Sequence, residues 1–445
     1  MAFVPNTDIE RKEMLDVIGV SSFDELISNI PEEIRLKQPL DMYNRLSEME
    51  VLQLLEKYSK ENITSSSHIC FMGGGAYDHF IPSVIGMITS RSEFKTAYTP
   101  YQAEVSQGTL QAMYEFQSMI CALTGMDVSN ASLYDGGTAL AEACLMANAH
   151  NRNTEFLIAG TINPYNFEVI STMCAGRKFT FKTFIAEDGT CDLIALKNSI
   201  NEKTSAVIVQ HPNFYGNLEE VEEIEKITHS TKALLIASSC PFSLGLLKTP
   251  GEYNADIVVG EGQPLGIPLS NGGPYLGIFA TKNEFVRKLP GRLSGVTQDS
   301  EGRRCYVLTL QTREQQIKRE KATSNICTNQ GLYMLTATVY LETMGKQGIK
   351  EVADQSNKKA LYLASEISKI TGYSLMNSKP FFREFLVNTP VEPSRIVSEG
   401  YKLGFLPGID TSAIEGYKKG LLVAVTEKRT KEEMDEFVNF LKSIK

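Results

Sequence analysis

A chain of 445 residues is long enough for one large domain and a smaller companion. Hydrophobic residues at 42% and charged residues at 22% are ordinary for a globular protein, and a net charge of −9 excludes the basic face that nucleic acid demands. No apolar run approaches the ~20 residues of a membrane span, and the acidic start lacks a secretory apolar core. Eight cysteines without CxxC spacing read as reduced thiols used as small core residues, which points to the cytoplasm. The five histidines do not pair with them at ligand spacing, so no metal site is expected.

In chain order, residues 1–65 read as a helical N-terminal arm. Thr7 with Glu10, and Ser47 with Glu50, have capping-box spacing. Val51, Leu52, Leu55 and Tyr58 then repeat at helical period, which predicts one buried stripe that either finishes the core or clasps a partner subunit. Residues 66–325 alternate in texture. Met113, Phe116, Ile120 and Leu123 mark a helix face ending at Gly125. Short apolar runs follow at Ala131 to Tyr134, Glu155 to Ala159, Ala206 to Gln210, Ala233 to Ser238 and Asp256 to Val259. Helix-like stretches such as Leu218 to His229 separate them, predicting a large α/β domain with a mostly parallel sheet covered on both faces. Residues 326–445 read as a smaller C-terminal α+β domain. It has helical material to about Ile370, strands at Phe385 to Val387 and Leu421 to Val425, and a closing amphipathic helix from Lys431.

Open α/β sheets bind ligands at the carboxyl ends of their strands. The loop Asp135-Gly136-Gly137-Thr138-Ala139 suits an anion, since glycines admit close approach and a helix N-terminus and hydroxyl donate. A tight turn with a threonine near the cap is the alternative. Asp256 to Val259 runs into Gly260-Glu261-Gly262-Gln263-Pro264-Leu265-Gly266-Ile267-Pro268 and then Ser270-Asn271-Gly272-Gly273-Pro274.

Strand, short loop and glycine turn in that order resemble the cofactor-lysine segment of fold-type-I pyridoxal-phosphate enzymes. Further stretches are Phe71-Met72-Gly73-Gly74-Gly75-Ala76-Tyr77-Asp78-His79, Ala97 to Gly108, Leu310 to Gln315, Lys321 to Thr328 and Thr426-Glu427-Lys428-Arg429-Thr430. With these, the chain resembles the P-protein of the glycine cleavage system, glycine dehydrogenase (decarboxylating). Within that family it resembles subunit 1, the N-terminal-type half without cofactor. The resemblance runs from near residue 7 to the C-terminus and implies an aminotransferase-like fold. The cofactor-bearing half keeps His-Lys before an Ile-Pro and a glycine run. Laying these on Ile267-Pro268 and Gly272-Gly273 puts Gln263 on the lysine. Lys248 and Lys282 bracket a stretch with no lysine. Ser238 falls where an aspartate normally meets the pyridine nitrogen, and Asn163 where a histidine normally stacks on the ring. Gly136, Gly137, Thr138, Asn163, Ser238 and Gln263 are then relict positions, and no cofactor is expected to be bound covalently by this chain.

The resemblance further implies a second P-protein subunit carrying pyridoxal phosphate on its lysine, in a heterotetramer of two plus two. There glycine loses CO2 and its aminomethyl group passes to the lipoyl arm of H-protein, an oxidoreductase step of glycine catabolism. This chain has no expected catalytic residue of its own and would complete the partner's pocket. Tyr98, Tyr101 and Gln102 are the first candidates, against simple interface packing. Arg313 and Arg319 suit a carboxylate or phosphate, against surface salt bridges. Tyr77 and His79 follow three glycines, and His79 alone reads as a hydrogen-bonded structural histidine. Cys327 is read as buried packing ahead of a redox thiol. The rival functions are an independent pyridoxal-phosphate lyase or aminotransferase, and a non-enzymatic scaffold for the second subunit.

Overall fold

A computed structural model describes residues 6–38, 40–42, 46–95, 98–377 and 379–444. Met1 to Pro5 and Ala97, at the head of one matched stretch, lie outside them. The chain divides into two units, residues 1–62 and 63–445. The first carries helices Asp8–Ile18 and Glu48–Lys60, each opened by its expected capping box. The expected buried stripe does not form. Val51, Leu52, Leu55 and Tyr58 are all exposed, because no second apolar layer among the described residues of this short unit covers them.

The second unit is built on a seven-stranded sheet. Its order is Val128–Ser129, Gly277–Thr281, Ile257–Glu261, Leu234–Ser239, Thr204–His211, Glu155–Ala159 and Thr180–Phe184. The last five pair in parallel, and the first two are antiparallel additions at one side. Alternate residues feed two cores. Leu157, Val207, Leu235 and Val258 pack on one face with helix Gln107–Thr124; Phe156, Ile208, Ile236 and Val259 pack on the other with helix Gly136–Asn151. Burial on both faces is why these strands read as continuous apolar runs. The run Ala131 to Tyr134 is not a strand. Asn130 Oδ1 accepts the Ser132 N–H at 3.1 Å and Ser132 takes φ +89°, so only Leu133 bridges to Gly277.

A second, antiparallel sheet orders Ser374–Leu375, Glu384–Asn388, Leu421–Ala424 and Ile409–Asp410. The chain visits this layer before the large sheet, contrary to a large domain opening at residue 66. Ile69–Cys70 pairs with Phe405–Leu406, and Phe71 joins the same core as Phe385 and Phe437. Helix Gly331–Ile367, kinked at Gly345, contributes Met334 and Tyr340 to one core and Leu363 and Ile367 to the other. Residues 63–445 therefore hold together across 325/326. Among the described residues no helix is long and apolar enough to cross a membrane.

Candidate functional site

The carboxyl ends of the parallel strands open on a cleft of about 570 Å³, closed on its far side by Arg383 and Glu384 from the second sheet. Entering from Phe71, the glycine loop 73–75 crosses it. A Cβ on Gly73 would fall 2.2 Å from Glu384 Oε1, and Gly74 and Gly75 take φ of +70° and +122°. Two amide side chains staple this loop down. Gln263, 1% exposed, accepts the Tyr77 N–H at 2.9 Å and donates Nε2 to the Tyr77 and Ile267 carbonyls at 3.1 and 2.7 Å. Asn163 donates to the Gly74 carbonyl at 2.8 Å while capping helix Pro164–Cys174 through the Tyr165 N–H. The residue on the lysine position thus pairs with backbone 186 positions away. An ammonium could not accept the Tyr77 N–H.

The anion loop is occupied from within. Asp135 caps the helix by accepting the Thr138 N–H at 2.7 Å. Glu261 Oε2 accepts the Gly136 N–H at 2.9 Å, and its Oε1 takes those of Gln263 and Leu276 at 2.9 and 3.0 Å. A Cβ on Gly136 would meet Glu261 backbone nitrogen at 3.1 Å, so glycine here admits a carboxylate-bearing strand end. Burial pushes the Glu261 carboxyl up to about 7, although three N–H groups pull it down. Ser238 and Ser239 line the cleft at the end of their strand, and Arg383 is its one cationic side chain among the described residues. Lys282 pairs with Asp256 at 2.6 Å, beside the opposite end of strand Ile257–Glu261, and Lys248 pairs with Glu222 on the surface. These residues do not fit pyridoxal phosphate: no lysine among the described residues lines the cleft, and the helix N-terminus already faces two carboxyl groups. Gly137 and Thr138 lie in the same first turn, and the Thr138 N–H is the one that Asp135 holds. No His, Cys, Asp and Glu group among the described residues is placed to hold a metal.

A raised carboxyl makes stability pH-dependent. The protonated Glu261 is favoured in the folded chain, so its contribution is complete below the ordinary value of 4.5 and is lost as pH rises through about 7. Glu142 and Glu219, also pushed to about 7 by burial, act with the same sign. Urea unfolding should show stability falling between pH 5 and 8, by about 3 kcal/mol for one such carboxyl. A flat profile across that range contradicts the assignment.

Behind the cleft wall lies a charged network that sequence reading missed. Arg383, 2% exposed, lays its guanidinium 3.5 Å from the Tyr77 ring centre. It donates to His79 Nε2 at 2.5 Å and to Cys240 Sγ at 3.1 Å. His79 Nδ1 faces Glu427 Oε2 at 2.6 Å, and burial holds its pKa below the ordinary value. A neutral imidazole therefore relays Glu427 to Arg383, donating from Nδ1 and accepting at Nε2. Tyr77 OH donates to Glu384 at 2.8 Å, and Asp78 takes Lys428 at 2.7 Å. Of the motif residues, Tyr77 reaches the cleft; His79 stands behind it. Tyr77 and His79 were candidates in the sequence, and Asp78, Glu427 and Lys428 lie inside matched stretches; Arg383, Glu384 and Cys240 carried no advance signal.

The other candidates stand elsewhere. Tyr98 and Gln102 are exposed, as is Arg319 at φ +56°. Tyr101 OH accepts from Gln316 at 3.2 Å and from Arg292 at 3.4 Å, and Arg292 lies 5.6 Å from the Tyr101 ring centre. Arg313 donates to the carbonyl of Gly291, next to Arg292. Cys327 is exposed, which corrects its reading as a packed thiol. Its N–H is held by Tyr134 OH at 3.1 Å on an irregular segment that leaves the sulfur outside any core.

Residues 1–441 match the profile of the glycine cleavage system P-protein family. The chain is 55% identical over 446 residues to the probable glycine dehydrogenase (decarboxylating) subunit 1 of Chlorobium phaeobacteroides, covering 100% of both. A crystal structure of glycine decarboxylase (P-protein) of the glycine cleavage system, in inhibitor-bound form, matches with a TM-score of 0.91. Identity is 40%, over 100% of each chain. The sphingosine-1-phosphate lyase of Burkholderia pseudomallei, at TM-score 0.66 and 12% identity over 92% of each chain, shares the fold alone. That fold is the type-I architecture of pyridoxal-phosphate enzymes.

Proposed function

Because the chain belongs to the glycine cleavage system P-protein family, we propose that it serves as the non-cofactor subunit of glycine dehydrogenase (decarboxylating). The observation that carries this reading is Gln263, whose amide is spent on the Tyr77 backbone where a cofactor lysine would stand. In this reading a second subunit holds pyridoxal phosphate, and glycine loses CO2 there. Its aminomethyl group passes to the lipoyl arm of H-protein, in a cytoplasmic assembly of two plus two subunits. The exposed apolar face of helix Glu48–Lys60 supports an arm that clasps the second subunit. The exposed Tyr98, Tyr101 and Gln102 support a loop that reaches the partner's pocket.

Reconstitution tests both parts. The chain alone should be colourless and inactive in glycine–bicarbonate exchange, and activity should appear on adding the second subunit. Tyr98→Phe, Tyr101→Phe and Gln102→Ala should each leave subunit association intact, and at least one should lower exchange about a hundredfold, as loss of a well-placed positioning group does. Exchange unchanged in all three makes the chain a scaffold. A borohydride-reducible aldimine in the chain alone makes it an independent pyridoxal-phosphate enzyme.

A further inference from the structure

Tyr101 is 51% exposed, yet its hydroxyl oxygen is held from inside the chain. Arg292 Nη2 donates to it at 3.4 Å, and Gln316 Nε2, from the short helix Gln315–Lys318, at 3.2 Å. The Arg292 guanidinium also lies 5.6 Å from the Tyr101 ring centre, within reach of a cation–π contact. Arg292 itself is not free to swing. It is 3% exposed, and the same fork donates from Nη1 to Thr328 Oγ1 at 2.6 Å and from Nη2 to the Cys327 carbonyl at 3.0 Å. Tyr134 OH accepts the N–H groups of Cys327 and Thr328 at 3.1 and 3.4 Å, so the segment that anchors the fork is itself pinned.

A phenol oxygen that already accepts from two N–H groups has one hydrogen-bonding role left, which is to donate its own proton. Among the described residues nothing accepts that proton. A cation donating to the oxygen also polarises the O–H and strengthens it as a donor. We propose that Arg292 is a positioning residue which, with Gln316, fixes Tyr101 as an outward hydrogen-bond donor to an acceptor oxygen in the second subunit's pocket. This rests on the pocket-completing function proposed above and narrows it to one hydroxyl. The oxygen is held by a buried fork and a short helix, so the direction of the O–H is set before the subunits meet.

Glycine–bicarbonate exchange in the reconstituted complex tests this by a double-variant cycle. Arg292→Lys keeps the buried charge but not the fork, and should lower kcat/KM for glycine about tenfold with subunit association intact. In a Tyr101→Phe background the same substitution should cost nothing further, because the hydroxyl it positions is gone. Gln316→Ala, a change at an exposed side chain, removes the other donor and should cost about threefold, again only where Tyr101 keeps its hydroxyl. It decides the matter by itself if Arg292→Lys fails to fold or associate. Equal losses in both backgrounds make the role purely structural and overturn the proposal, and so does wild-type exchange in both single variants. Tyr101→Phe at the wild-type rate beside a slow Gln102→Ala overturns it while sparing the pocket-completing function. Wild-type rates in all three loop variants remove both.

Discussion

Arg383→Met should lower the free energy of unfolding by about 3–5 kcal/mol, the usual cost of removing one member of a buried charged network. Methionine fills much of the space and keeps contact with the Tyr77 ring. It cannot donate, so His79 Nε2 loses its 2.5 Å partner and the buried Glu427 loses the cation that His79 relays to it. The position also takes φ +44°, a backbone strain that the substitution leaves in place. Urea midpoints at neutral pH give the measurement, with Glu427→Gln and the double variant completing a cycle. The double variant should cost less than the sum of the two singles, because each single strands the other's charge. Because Tyr77 carries the stacked guanidinium, amide exchange at Gly74 and Tyr77 should quicken in Arg383→Met. A loss under about 1 kcal/mol, the scale of an ordinary substitution, would sink the network account.

What could be read in advance divides along physical lines. The strands Glu155–Ala159, Thr204–His211 and Leu234–Ser239 are buried on both faces, so each shows as an apolar run between turn residues. Thr180–Phe184 sits at the sheet edge with a half-exposed Thr-Phe-Lys-Thr-Phe pattern and gave no such run. The hairpin of Leu293–Gln298 with Arg304–Thr309 was hidden for the same reason, being half solvated and rich in polar residues. At the site, position 263 was legible because one residue type was missing from a recognisable order. Its work was not, since the Tyr77 backbone it holds is distant in sequence. Arg383 escaped altogether, and Glu261, though inside the quoted segment, gave no sign of its work. An arginine before a strand and a glutamate ending one are ordinary on paper; the approach of the two sheets turns the first into a cleft wall, and the meeting of strand end and helix start within the large α/β layer lets the second fill the anion loop.

Gln263→Lys is the decisive substitution for the cleft, and it should restore no cofactor chemistry. The lysine amine would enter a site where the side chain is 1% exposed and meets the carbonyls of Tyr77 and Ile267. It can donate to both, yet the Tyr77 N–H, now satisfied at 2.9 Å, is left without an acceptor. That orphaned donor, with the desolvated ammonium, should cost about 3 kcal/mol or more in a urea melt. Incubation with pyridoxal phosphate and borohydride should then leave position 263 unlabelled. The phosphate has no cradle, because the Gly136 and Thr138 N–H groups are held by Glu261 and Asp135. Adding Glu261→Gln to Gln263→Lys removes one of those carboxyl groups without removing Asp135, so labelling should still fail. Stoichiometric, reducible cofactor at position 263 in the single variant would mean that one missing amine, and not the rewired loop around it, keeps this chain from carrying its own cofactor.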